Sequence, residues 1–328
     1  MNQTIKKKER KKLKIDIAVI APVAFLLVLF LFYSFFATNF FSGRNFLNIL
    51  RQVSITGTMA VGVTLVILLG EIDLSIATVM AFSGMIVSGL SLGQFWGLPP
   101  LPVGICILIT LLVGVAVGYL SGVANAKLGI PGFMATLSMM YICEGLMLLL
   151  TGGYPIFGLP SALTYWGSGY IFGVIPIIII VFALVFVIGF VLLKFTVYGR
   201  NVYAIGGNPE ASRLAGINVS KNKIMSFIIC AVLSSLAGVL MVGRIGSGQI
   251  TAGEGLQMQP IAAAVLGGAS LLGGKGNMLG TLLGVLIMGV LVNGLNIMGA
   301  GSEIQKLTTG IVLFAAVALN IWSAKKSQ

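Results

Sequence analysis

The chain has 328 residues, of which 58% are hydrophobic and only 9% charged, and its mean hydropathy is +1.07. A soluble domain carries roughly 25% charged and about 45–50% apolar residues, so this composition is that of an integral membrane protein. Histidine is absent, which removes Ser-His-Asp hydrolysis and most zinc and haem sites.

The net charge of +12 is concentrated at one end. Lys6, Lys7, Lys8, Arg10, Lys11, Lys12 and Lys14 precede an apolar run from Ile17 to Ala37. Residues 1–16 therefore read as a basic cytoplasmic tail facing anionic headgroups, not as a nucleic-acid arm. The run is too long for the core of a signal peptide and lacks a small-x-small cleavage site, so it is expected to be a membrane helix.

A span needs about 20 apolar residues to cross about 30 Å of hydrocarbon. In chain order this predicts an all-α architecture of about ten helices, near 17–37, 53–70, 74–92, 101–121, 131–150, 171–193, 224–243, 257–273, 278–297 and 304–322. The short segments 53–70 and 257–273 either span fully or break where protein or a cavity surrounds their backbone. With both termini inside, sixteen of the 20 basic residues fall on the cytoplasmic side. Only Arg44, Arg51, Arg244 and Lys306 fall outside, a strong positive-inside bias. Residues 17–322 form the transmembrane domain and 323–328 a second cytoplasmic tail. The outer loop 151–170 is uncharged and carries Tyr154, Tyr165, Trp166 and Tyr170, as expected at a membrane interface. Glycine- and serine-rich stretches at 70–84 and 266–280 hint at a duplication of five helices.

Several apparent motifs carry no chemistry. Cys106, Cys143 and Cys230 lie in apolar runs and read as small core residues. Gly89-Leu90-Ser91-Leu92-Gly93 matches GxSxG without a histidine to serve it. Gly274-Lys275-Gly276 lacks the spacing and hydroxyl of a phosphate loop. No catalytic constellation, metal cluster or ATP-binding motif is expected in this chain.

The longest polar stretch, within 200–222, encodes a two-turn helix. Asn208 is its cap, Pro209 suits the first position, Glu210 complements the helix dipole, and Gly216 is a left-handed stop. A helix this short is marginal alone, so it must dock on its own membrane domain or on a separate protein. Here Glu210-Ala211-Ser212 followed by Gly216 resembles the EAA-x-x-x-G loop of ABC importer permeases. The flanking Tyr203-Ala204-Ile205-Gly206-Gly207-Asn208 and Ala215-Gly216-Ile217-Asn218-Val219 are similar to those of ribose-type monosaccharide permeases. So are Gly70-Glu71-Ile72-Asp73-Leu74-Ser75, the segment Ile130-Pro131-Gly132-Phe133-Met134-Ala135-Thr136-Leu137, Val265-Leu266-Gly267-Gly268-Ala269-Ser270 and Asn293-Gly294-Leu295-Asn296.

The resemblance implies a permease subunit of a bacterial ABC importer for a simple sugar, working by alternating access in the cytoplasmic membrane. It implies a second permease copy, a cytoplasmic ATPase holding ATP and Mg, and an extracellular sugar-binding protein, with no cofactor in this chain. Asn208, Pro209, Glu210, Ala211, Arg213 and Gly216 would then couple to the ATPase. Glu71, where relatives often have glycine, and Glu144, where no carboxylate is expected, depart from the pattern and bear on which sugar is carried.

Asn125, Glu144, Asn293 and Asn296 are the candidates to line a substrate path. Each also has a structural reading, since buried amides bridge helices and a carboxylate can serve a neighbouring hydroxyl or cation. Asp73 is placed to cap helix 74–92, and with Glu71 it could also serve a cytoplasmic gate. The rival reading is an ion-coupled secondary transporter of a small polar solute, which predicts ionisable residues near the midplane.

Overall fold

The computed structural model describes residues 17–95 and 97–326. The basic tail 1–16 and residues 327–328 lie outside them. The chain is almost wholly helical, with one two-stranded hairpin. The helices are α1 (Ile17–Phe36), α2 (Gly43–Leu68), α3 (Ile76–Leu92), α4 (Val103–Ala126), α5 (Gly132–Thr151) and α6 (Ser161–Ser168). After the hairpin β1 (Tyr170–Ile171) and β2 (Ile175–Pro176) come α7 (Ile177–Phe195), α8 (Val197–Gly207), α9 (Pro209–Leu214), α10 (Val219–Ile245), α11 (Met258–Leu266), α12 (Met278–Ile297) and α13 (Ser302–Lys326). Among the described residues, α2, α4, α5, α7, α10 and α12 are long and apolar enough to cross a membrane.

Three elements differ from the sequence expectation, each for a local reason. Helix α2 starts ten residues earlier than the predicted 53, because Ser42 caps it by accepting the Asn45 N–H. It is buried along most of its length, and thus forms the centre of the bundle, not a short or broken segment. The predicted helix 171–193 starts only at Ile177, since Phe172 and Gly173 both take positive φ in a tight hairpin turn. A continuous apolar run hid that turn.

The third difference is the predicted helix 257–273, of which only Met258–Leu266 is helical. Nine residues rise about 14 Å, half the hydrocarbon thickness. The chain before α11 also lacks regular helix apart from a short 3₁₀ turn, Ile250–Gly253. It descends along α3, with Gly248 against Met85 and Ser88 and Gly253 against Ala77 and Ala81. That is a drop of seven or more residues along α3, roughly 10–15 Å. Its depth is fixed by α10, whose Ser235 is hydrogen-bonded to Ser83 of α3 at 2.8 Å. Ser235 lies near the middle of α10, so the unwound segment reaches the middle of the bundle.

Helix α10 holds the assembly together, packing along α2, α3 and α4. The α4–α10 seam is built by Gly114, Gly118 and Gly122 at four-residue spacing. A Cβ on Gly118 would lie 2.5 Å from the Ile228 Cα, and one on Gly122 2.7 Å from the Ile224 Cα. This row of glycines is therefore a packing surface. Gly118→Val should force the helices apart at an overpacking cost of about 1–3 kcal/mol or more. A clear fall in melting temperature in detergent is expected, whereas Gly104→Ala, facing open space, should leave it unchanged.

Candidate functional site

The loop 200–222 folds as its residues dictate. Asn208 accepts the Ala211 N–H at 2.9 Å, Pro209 opens α9, and Glu210 lies in the first turn. Gly216 closes it at φ +82°, and Asn218 then caps α10 by accepting the Lys221 N–H at 2.9 Å. Of the helix only Ser212 is buried, while Glu210, Ala211 and Arg213 are exposed. Leu214 is 91% exposed at the tip. The sequence reading passed over this leucine, although an apolar residue ending a polar two-turn helix was its visible signal. Bare on almost every side, α9 has little of its own membrane domain to dock on.

Behind α9, the loop is fastened to the bundle. Tyr198 shares a 2.5 Å hydrogen bond with Ser226, and burial pushes its phenol up to about 12, which keeps it protonated. A cleft of about 630 Å³ opens beside it, lined by Leu192, Asn201, Asn218, Lys221 and Met225 among others. At Gly206, the last turn of α8 meets the Leu68 carbonyl so closely that no Cβ would fit, and Gly274 lies on the same side. Tyr203 donates to the Gly276 carbonyl at 2.8 Å. The end of α8 thus touches the last residue of α2, where the non-helical break 69–75 begins, and the second break, 267–277; Gly274 N–H donates to Leu68 O at 2.9 Å, and Gly273 lies against Gly70.

The first break carries Glu71 and Asp73. Glu71 Oε1 accepts from Lys223 Nζ at 2.6 Å, and its Oε2 accepts the Gly132 N–H at 2.9 Å. One carboxylate therefore ties the break to the first turns of α5 and α10. Thr136 of α5 adds a second tie by accepting the Leu74 N–H at 3.0 Å. Asp73 is 2% exposed and accepts both the Ser75 N–H at 2.9 Å and the Ser75 hydroxyl at 2.6 Å. It does not cap 74–92 directly. Ser75 holds the cap position of a helix that starts at Ile76, and Asp73 shapes the turn before it.

The four path candidates do not converge within one chain. Asn125 of α4 is buried and donates to the Ile130 carbonyl at 3.0 Å, leaving its Oδ1 unpartnered. Glu144 is exposed on α5. On α12 Asn293 is buried with an unpartnered Oδ1, while Asn296, three residues on, is exposed. Helix α12 packs on α1, α2 and α11, whereas α4 and α5 pack on α3 and each other. Among the described residues no cluster of metal-ligating side chains occurs.

Comparison with known proteins places the chain in a class. The family described as branched-chain amino acid transport system / permease component matches residues 45–317, and the chain belongs to it. It is a multi-pass membrane protein and a transport subunit, not an enzyme. It is 41% identical to the ribose import permease of Escherichia coli K12, over 90% of this chain and 91% of that one. Identity to the ribose import permease of Bacillus subtilis is 40%, over 95% and 96% of the two chains. Identity to the fructose import permease of Rhizobium meliloti is 34%, over 94% and 86%. No solved structure is significantly similar.

The Glu71–Lys223 pair is a prediction in itself. Lys223→Met leaves a partly buried carboxylate with one partner fewer, at a cost on the order of 1.5–3 kcal/mol. Adding Glu71→Gln should recover part of the loss. Melting of the two single variants and the double variant in detergent measures the coupling, and strict additivity would show that the pair does not hold the break.

Proposed function

We propose that the chain is the permease subunit of a bacterial ABC importer that carries a simple sugar inward, with ribose the first candidate. The observation that carries the coupling half of this reading is α9, a two-turn helix capped at its start and closed by Gly216, with Leu214 standing bare at its tip. Such a helix needs a partner groove. A cytoplasmic ATPase that binds ATP and Mg supplies it, contacting Asn208, Pro209, Glu210, Ala211, Arg213 and Gly216 as well as Leu214. The sugar half rests on the ribose and fructose import permeases to which the chain is similar over most of its length.

In this reading residues 17–322 are the permease domain, crossed by about ten membrane segments with both termini in the cytoplasm. The protein lies in the bacterial cytoplasmic membrane. Two copies form the pore, and an extracellular sugar-binding protein delivers the solute. Alternating access follows from the connections at the inner face. A shift of α9 passes to α8, whose end rests on Leu68 and on the second break, and to α10, whose Lys223 holds Glu71. Glu71 in turn holds the first residue of α5, so the inner end of α5 follows the ATPase. Glu71 and Asp73 then act at the cytoplasmic gate, and Asn125, Asn293 and Asn296 offer amides along the route.

Co-purification with a co-expressed ATPase tests the coupling. Leu214→Asp should reduce capture by about tenfold or more, the scale of an interface anchor. Gly216→Pro should do the same, because proline is confined to φ near −65° and cannot follow +82°. Glu210→Ala should weaken capture less. In proteoliposomes, ATP hydrolysis should rise when sugar-loaded binding protein is added. Normal capture by both Leu214→Asp and Gly216→Pro would remove the coupling role of α9.

A further inference from the structure

The cleft of about 630 Å³ beside Tyr198 runs across the level at which the membrane begins. Its lining is polar at one end and apolar at the other. Asn201 of α8, with Asn218 and Lys221 at the start of α10, forms the polar end. Leu192 of α7, with Met225 and Ile229 of α10, forms the apolar one. Helix α7 has 19 residues and rises about 28 Å, barely the hydrocarbon thickness of about 30 Å. Leu192, one turn before its end, therefore lies inside the hydrocarbon. Helix α10 has 27 residues and rises about 40 Å, so no more than about 10 Å of it projects at this end. Ile229 lies about 15 Å along α10 from Val219, below that boundary.

Charge at the polar end has one sign. No carboxylate lines the cleft; Glu210 is exposed on α9, and Glu71 is held by Lys223 and Gly132. Among the described residues the Lys221 ammonium has no ion-pair partner, and the side-chain NH2 groups of Asn201 and Asn218 donate to nothing. Lys194 and Arg200, close in sequence to Leu192 and Asn201, are exposed as well. The Lys194 ammonium lies 5.1 Å from the ring centroid of Phe190 and 5.5 Å from that of Phe195. A long apolar stem with its charged head at the end of a span marks the headgroup level.

A soluble partner reaches the polar end only, because Leu192 and Ile229 lie at a depth open to lipid and membrane-embedded protein. We infer that the cleft binds an anionic phospholipid of the inner leaflet, with its phosphate on Lys221, Asn201 and Asn218 and an acyl chain along Leu192, Met225 and Ile229. Phosphate oxygens accept from the ammonium and both amides, and the bond from the ammonium is charge-assisted. A basic pocket between membrane helices on the cytoplasmic side is the setting in which such headgroups are held. Asn218 caps α10 two residues after Gly216 closes α9, so a lipid held there braces the joint through which α9 moves α10. The bracing role rests on the importer reading, to which it adds a lipid that the 200–222 loop needs.

The test uses the full chain in phosphatidylcholine vesicles that contain phosphatidylglycerol with a photoreactive acyl chain. Irradiation and peptide mapping should place the label on residues 218–229 and on the end of α7. A phosphatidylcholine probe of the same design should label these peptides about fivefold less. Lys221→Ala should lower the phosphatidylglycerol label about fivefold, the scale of one basic residue at an anionic surface. Lys221→Arg should retain the label, and Met225→Trp, which fills the path of the acyl chain, should lose it. Equal labelling by the two probes, or displacement of the label by inorganic phosphate, overturns the lipid site. Full labelling of both Lys221→Ala and Met225→Trp, with weaker capture of the ATPase, would give the cleft to the ATPase instead. With the ATPase co-reconstituted, phosphatidylglycerol should raise the hydrolysis that sugar-loaded binding protein stimulates, and Lys221→Ala should abolish that rise. An equal rise in the variant overturns the bracing role. Labelling needs no ATPase, so a chain that is labelled but captures none sinks the importer reading and leaves the lipid site standing.

Discussion

Hydrocarbon offers no hydrogen bonds, and two places where this chain leaves the helix inside its bundle are answered by its own polar groups. Break 69–75 is held by Glu71 on Gly132 and Lys223, by Thr136 on Leu74 and by Asp73 on Ser75. Break 267–277 is held by Gly274 on Leu68, Ser270 on Lys275 and Tyr203 on Gly276. Neither break stands alone. They meet at Gly70 and Gly273, and the last turn of α8 leans on Leu68 and Gly274 where they begin and run.

That arrangement links α8, α9, α10 and α5 at one end of the bundle. There the bare α9 leads into α10, and α10 grips α5 through Glu71. Near the middle of α5, Glu144 is exposed. The glycine seam between α4 and α10 makes the two helices move as one body, because their backbones are too close to slide past each other without clash. A load applied at α9 therefore has a continuous packed route to the centre of the domain.

The carboxylates divide along the same line. Glu71 and Asp73 are satisfied inside the chain and shape it. Glu144 and Glu254 are exposed and make no ion pair or hydrogen bond among the described residues, although the Lys306 side chain lies beside Gly255.

Local chemistry was legible in the sequence. The Asn208–Gly216 helix, its cap and its stop follow from residue types a few positions apart, and helix lengths follow from apolar runs that no soluble core needs. The hairpin at 172–173 and the collapse of 257–273 to nine helical residues were not legible. Apolar periodicity does not record where a neighbouring backbone displaces a helix. Nor did residue spacing reveal that Glu71 reaches Lys223, 152 positions away, or that Asn293 and Asn296 part company in burial. Nor did it show that the loop before α11 runs down along α3, with Gly253 against Ala77 and Ala81. Composition and local pattern determined that this chain spans a membrane and carries a short, exposed, capped helix. Which polar groups are spent on holding the fold, and which stay exposed, was decided by tertiary packing, since that alone determines which of them find a partner.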